Sequence, residues 1–234
     1  MLELPEDKMT NFVMPVVSIE PKPDGGVGYK RLLGSCFLVR GTAGIALTAH
    51  HVAAGLSVGS AAVLFVNALG IWQAVLVREV RTHPSEDVAV LVLEPEHAFP
   101  SILALSREEC YGTMPYMLWG YPESVLHDEV INDRAVERPD LVYDEGYIRR
   151  RISWGLPASR GSRFFELSRI SGAGCSGAPI ISRRPVDAGR EVWKVIGVYV
   201  GERRACDITV GYAVRIADID ADAPEWSGLF PSEV

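Results

Sequence analysis

The segment Gly172-Ala173-Gly174-Cys175-Ser176-Gly177-Ala178-Pro179 sets a serine between glycines, directly before the apolar pair Ile180-Ile181. A serine hydroxyl becomes a nucleophile only when it is exposed, oriented and next to a base. Flanking glycines let the backbone turn sharply and aim two N–H groups at one point. Here these are the amides of Gly174 and Ser176, a pair able to hold the negative oxygen of a tetrahedral intermediate. A base is on offer in the His50-His51 pair, and Asp87 is an acid able to orient it. Each feature taken alone has an ordinary alternative: a glycine-serine loop between strands, a satisfied core histidine, an acid capping a strand.

These residues stand at the edges of apolar runs. Ser35–Val39 and Ile45–Thr48 lead into the histidines, and Val88–Leu93 follows Asp87. With Val13–Ile19, Ala61–Asn67 and Ile71–Val80 they make six expected strands, enough for one small barrel. His51–Leu56 reads as a short helical turn, and Pro23-Asp24-Gly25-Gly26 as a tight turn. A connector is expected over Pro95–Glu109, with the helix-capable patch Ser106-Arg107-Glu108-Glu109. Strands resume at Met114–Gly120, and residues 122–146 read as a long surface loop. Further strands are expected at Tyr147–Ser153, Phe164–Leu167, Pro179–Ser182, Val192–Val200 and Tyr212–Arg215. The tail from Ile216 begins with acidic, helix-like sequence. Ser60–Val77 carries no formal charge, but Asn67, Gly70 and Gln73 divide it into two strand-length pieces rather than a spanning helix. So many short strands without long helices argue for all-β barrels or sandwiches.

The 234 residues allow one large domain or two small ones, with a core that needs no staples. A net charge of −7 argues against a general nucleic-acid binder. The clusters Arg149-Arg150-Arg151, Arg183-Arg184 and Arg203-Arg204 read as solvated turns. Cys36, Cys110, Cys175 and Cys206 show neither C-x-x-C spacing nor a histidine at zinc spacing, so no metal or cofactor is expected. Buried free thiols fit a reducing compartment, and Met1–Lys8 lacks the apolar run of a secretory signal. The expectation is a cytoplasmic protein with no membrane partner.

Gly34-Ser35-Cys36-Phe37-Leu38-Val39, Thr48-Ala49-His50-His51-Val52, Asp87-Val88-Ala89-Val90-Leu91 and Gly174-Cys175-Ser176-Gly177-Ala178-Pro179 follow one another in the order histidine, aspartate, serine. With Val195–Val198 and Gly211–Val214 they resemble a trypsin-like serine peptidase of the bacterial Deg type, without PDZ modules. The resemblance implies two six-stranded antiparallel β-barrels packed together, with the active site in the cleft between them. Residues 1–105 would carry the histidine and aspartate, 106–220 the serine and the specificity pocket, and 221–234 a tail. The motif places its base directly before valine, so His51 is the base and His50 takes a position usually held by alanine. Asp87 orients the base, Ser176 attacks, and the Gly174 and Ser176 amides form the oxyanion hole.

The same resemblance builds the pocket from Ile170, Ser171, Val198, Val200, Gly201 and Val210, which suits an apolar or small side chain. Glu202 and Asp207 lie in the bordering loop, where either would favour arginine or lysine. Cys36 replaces a glycine, and Cys175 replaces the Asp or Asn common before the serine. The implied partner is a protein or peptide substrate, cleaved by a regulatory endopeptidase of narrow specificity. The competing reading is a latent or inactive binding module on the same fold, with or without an activating protein partner.

Overall fold

The computed structural model describes residues 9–22, 27–42, 44–67, 69–94, 101–131, 134–183, 193–205 and 208–230. The expected turn at Pro23–Gly26, the start of the connector at Pro95–Pro100, Cys206 and Asp207 lie outside the described residues.

The first six strands are β1 (Val13–Pro21), β2 (Val27–Leu38), β3 (Ile45–Thr48), β4 (Ala61–Val66), β5 (Trp72–Thr82) and β6 (Ala89–Leu93). They close into a barrel in the order β1-β2-β3-β6-β5-β4. Alternation along each strand sends side chains to two different cores. Met14, Val16, Cys36 and Leu38 point into the barrel, with Ala46, Val63, Phe65 and Leu91. Val13, Val17, Phe37, Leu47 and Val90 point the other way, into a second cluster shared with the rest of the chain. Strands buried on both faces need apolar residues at nearly every position, and β6 is buried along all of Ala89–Leu93.

The remaining strands are β7 (Leu103–Leu105), β8 (Pro115–Gly120), β9 (His127–Ile131), β10 (Arg134–Arg138), β11 (Val142–Ile152), β12 (Phe164–Leu167), β13 (Pro179–Ser182), β14 (Trp193–Ala205) and β15 (Ile208–Arg215). Six of them run β13-β8-β11-β12-β15-β14, and pairing of β13 with β14 closes a second six-stranded barrel. Its interior holds Met114, Tyr116, Leu118, Ile148, Phe165, Ile180, Ile196 and Tyr199. Between the barrels lies the largest cluster, which also takes Ile216, Ile219, Trp226 and Leu229 from the tail.

Three sequence expectations change. The patch Ser106–Glu109 forms no helix; instead β7 just before it pairs in parallel with β14. Its three side chains are all buried, so the local pull toward helix yields to packing. The expected loop 122–146 contains the β9–β10 hairpin, paired from Ile131–Arg134 to His127–Arg138. The charged residues of both strands hid their alternation in the sequence. β11 starts at Val142 because Val142–Tyr147 pairs with β8.

Candidate active site

His51 sits in the first turn of α1 (His50–Ala54), a single turn that follows β3. Asp87 stands between β5 and β6, and its carboxylate reaches α1 twice. Oδ1 accepts the backbone N–H of His51 at 3.0 Å, and Oδ2 meets ring Nδ1 at 2.9 Å. One carboxylate therefore fixes both where the residue sits and how its ring is turned. With the proton on Nδ1, the lone pair of Nε2 is left free to accept a proton. Asp87 is largely shielded, whereas His51 is about half open. His50 is partly exposed, and its Nδ1 is buried without a partner among the described residues. Burial, helped by the charge of Arg160, holds its pKa below the usual histidine value.

The serine loop is shaped by donors that pull its carbonyls aside. Ala173 O accepts the Glu123 N–H at 2.8 Å, and Ser176 O accepts the Ser35 N–H at 2.8 Å. Gly174 O accepts from Ser35 Oγ at 2.9 Å. A trans peptide points its N–H opposite to its C=O. Holding Ala173 O at Glu123 therefore turns the Gly174 N–H the other way. The turn needs φ of 88° at Gly174, and an added Cβ there would lie 2.9 Å from Glu123 N. Among the described residues the N–H groups of Gly174 and Ser176 have no protein acceptor.

Ser35 joins the barrels. It is fully buried on β2, and besides donating to Gly174 O its Oγ accepts the Tyr121 N–H at 3.0 Å. Thr48 Oγ1 holds its carbonyl at 2.7 Å. Sequence reading used Ser35 only as a motif position; a lone hydroxyl inside an apolar run was the available signal. Beside it, Gly34 separates Ser176 from the turn that carries His51. A Cβ at Gly34 would lie 2.6 Å from Val52 Cγ2 and 2.8 Å from Ser176 O. Ser176 is half-buried, and neither its Oγ nor His51 Nε2 has a hydrogen-bond partner among the described residues.

His50, His51 and Asp87 line an open cleft of about 390 Å³ with Ala158, Ser159, Arg160, Val200, Gly201, Glu202 and Tyr212. Of the six residues expected to form a specificity pocket, only Val200 and Gly201 line this cleft. Ile170 is 45% exposed, and Val198 and Val210 are buried in the cluster between the barrels. On β14, Val198 faces that cluster while Tyr199 faces the second barrel's interior. Tyr199 was missed by the sequence reading. Its hydroxyl accepts the Ser171 N–H at 3.1 Å, and its ring packs against Gly211, where an added Cβ would lie 3.2 Å from Cε2. Its backbone binds Gly177 N and Ala178 O, directly behind Ser176. Cys175 donates to Ser171 O at 3.1 Å, and burial pushes its thiol up to about 12. Among the described residues no three His, Cys, Asp or Glu side chains are placed to hold a metal.

The trypsin-like peptidase domain matches residues 34–198, a stretch that contains the histidine turn, Asp87 and the serine loop. The chain belongs to the trypsin-like peptidase family. No curated protein sequence matches the chain. Solved structures share the fold of this trypsin-like peptidase domain at low sequence identity. The MamO protease domain from Magnetospirillum magneticum is 12% identical with a TM-score of 0.63, over 92% of this chain and 97% of its own. The Rv3671c protease from M. tuberculosis, in its active form, is 20% identical with a TM-score of 0.56, over 94% and 80%. The HtrA-type protease AlgW with a decapeptide is 14% identical with a TM-score of 0.61, over 93% and 64%.

Proposed function

We propose that the protein is a serine endopeptidase in which Ser176, His51 and Asp87 act as a triad. The observation that carries this reading is the double grip of Asp87 on His51, next to a loop with two free N–H groups. Ser176 Oγ attacks the scissile carbonyl while His51 Nε2 takes its proton. The carbonyl oxygen, now negative, is received by the Gly174 and Ser176 amides. His51 then hands the proton to the leaving amine, and water repeats the cycle on the acyl-enzyme. Asp87 keeps the imidazole in the useful tautomer and stabilises its cation.

The substrate is a protein or peptide with a small residue before the cleaved bond. The strands that the family resemblance sets beside that residue are β14 and β15, and the Tyr199 ring already fills the space between Ser171 and Gly211. An arginine or lysine would have to displace a buried, hydrogen-bonded ring. The absence of a hydrogen bond between Ser176 and His51 favours a second reading, a latent module that a partner must switch on. Fluorophosphonate labelling separates the two, since only an assembled triad reacts. Labelling of the wild type but not of Ser176→Ala, with library cuts after Ala, Ser or Gly, is expected. No labelling of the isolated chain would leave only the latent module.

A further inference from the structure

We propose that Arg160 and Glu86 form a latch that holds Asp87 in register with His51, which makes the 158–163 loop of the second barrel the positioning element of the dyad. The inference rests on the triad reading above and adds what keeps the triad assembled.

Both oxygens of Asp87 are used on His51, and no other donor reaches them among the described residues. The carboxylate is therefore placed by its own backbone, the segment His83–Asp87. That segment is gripped from the second barrel in both directions. Arg160 donates Nε to Glu86 O at 3.2 Å and Nη2 to His83 O at 2.8 Å and Pro84 O at 2.5 Å. In return the Glu86 carboxylate, 1% exposed, accepts the N–H of Ser162 at 3.1 Å, the Ser162 hydroxyl at 3.3 Å and the Arg163 N–H at 3.3 Å. Buried charge persists where hydrogen bonds satisfy it. Between the two grips Gly161 has φ of 102°, and an added Cβ would run into the Glu86 carboxylate.

His83 completes the clasp from the tail side. Its Nδ1 accepts the Glu86 N–H at 3.0 Å, and its Nε2 donates to Ile219 O at 2.6 Å. Nothing in the latch touches Ser176 or the amides of its loop. Loosening the 158–163 loop would thus leave nucleophile and oxyanion donors in place and misalign the base alone. Displacements near 1 Å cost up to about 10²-fold in rate.

The test uses the full chain with a peptide cleaved after a small residue, and three variants: Arg160→Ala, Arg160→Lys and Gly161→Ala. Arg160→Ala and Gly161→Ala should each lower kcat about 10–100-fold with KM little changed. Arg160→Lys, which keeps a donor and the charge, should recover part of the loss. The acid limb of the pH profile separates latch from charge. His51 is surrounded by Asp87, His50, Arg160 and Glu202. Loss of the Asp87 partner destabilises the imidazolium and moves the limb to lower pH, whereas loss of the Arg160 charge alone moves it to higher pH. Gly161→Ala changes no charge, so a shift to lower pH in that variant supports the latch even if Arg160→Ala fails to fold. Wild-type kcat and an unmoved limb in folded Gly161→Ala and Arg160→Lys would overturn it. Should the wild type prove inactive, the triad reading fails first. The latch is then read from the His51 Nδ1 proton resonance, which should be lost in Gly161→Ala and kept in the wild type; its retention in Gly161→Ala would refute the latch.

Discussion

A single backbone N–H, that of Glu123, is assigned the task of turning the Gly174 amide into the oxyanion site, and Glu123→Pro deletes it. The substitution suits the local backbone. Pro122 stands at φ −72° and ψ 139°, the extended region that a following proline demands. Glu123 opens a short 3-10 helix, Glu123–Val125, where the first position tolerates proline, and its side chain is exposed. The direct loss to stability is one hydrogen bond, about 1 kcal/mol. In a chain of this size that lowers Tm by about 2–4 °C. The loss to catalysis is larger. With Ala173 O released, its peptide is free to turn over and withdraw the Gly174 N–H, and removing one oxyanion donor costs about 10²–10³ in kcat, or roughly 3–4 kcal/mol. Glu123→Ala keeps the N–H and should behave as wild type. Peptide hydrolysis, fluorophosphonate labelling and thermal melts on the three proteins make the comparison. A folded Glu123→Pro protein with kcat within about threefold of wild type would refute the reasoning.

Ser176→Ala and His51→Ala should each abolish turnover by several orders of magnitude, Asp87→Asn should cost about 10⁴ in kcat, and His50→Ala should be mild in the same peptide assay. Ser35→Ala removes the donor to Gly174 O and the acceptor for Tyr121 N–H inside a buried seam; two unsatisfied groups at about 1–3 kcal/mol each should show as a clearly lowered Tm. Tyr199→Ala should open the space between Ser171 and Gly211 and move library cleavage toward Leu and Met, and an unchanged profile would remove Tyr199 from specificity. Cys175, with its thiol pushed up to about 12 and buried, should resist iodoacetamide at pH 8 in the native protein. Thiol titration after denaturation without reductant should find all four cysteines, and fewer would contradict the reducing-compartment expectation.

The twin barrels and the three triad candidates were readable because their signals are local. Each strand next to the site is an apolar run, and His51, Asp87 and Ser176 stand at the ends of such runs. What was not readable depends on contacts between distant segments. Ser35 and Gly174 are 139 positions apart, and Arg160 and Glu86 are 74 apart. No periodicity reports that a backbone carbonyl will find a guanidinium from the other barrel. Val198 and Tyr199 are sorted by such distant contacts too: Val198 joins the cluster between the barrels and Tyr199 the interior of the second barrel. The acidic stretch before β11 hid a hairpin because charge masked its alternation.

The three apolar clusters have one further consequence. The largest lies at the seam between the barrels, shared by strands from both and by Trp226 and Leu229 of the tail. Two halves that share their largest cluster of buried side chains cannot melt separately, because freeing one strips the other of its outer wall. Unfolding should be a single cooperative event, with one calorimetric peak for both barrels. Since the cleft lies on that seam, its geometry has no independent existence. A nick between the barrels that let the halves part would cost the chain its site and its fold in the same step.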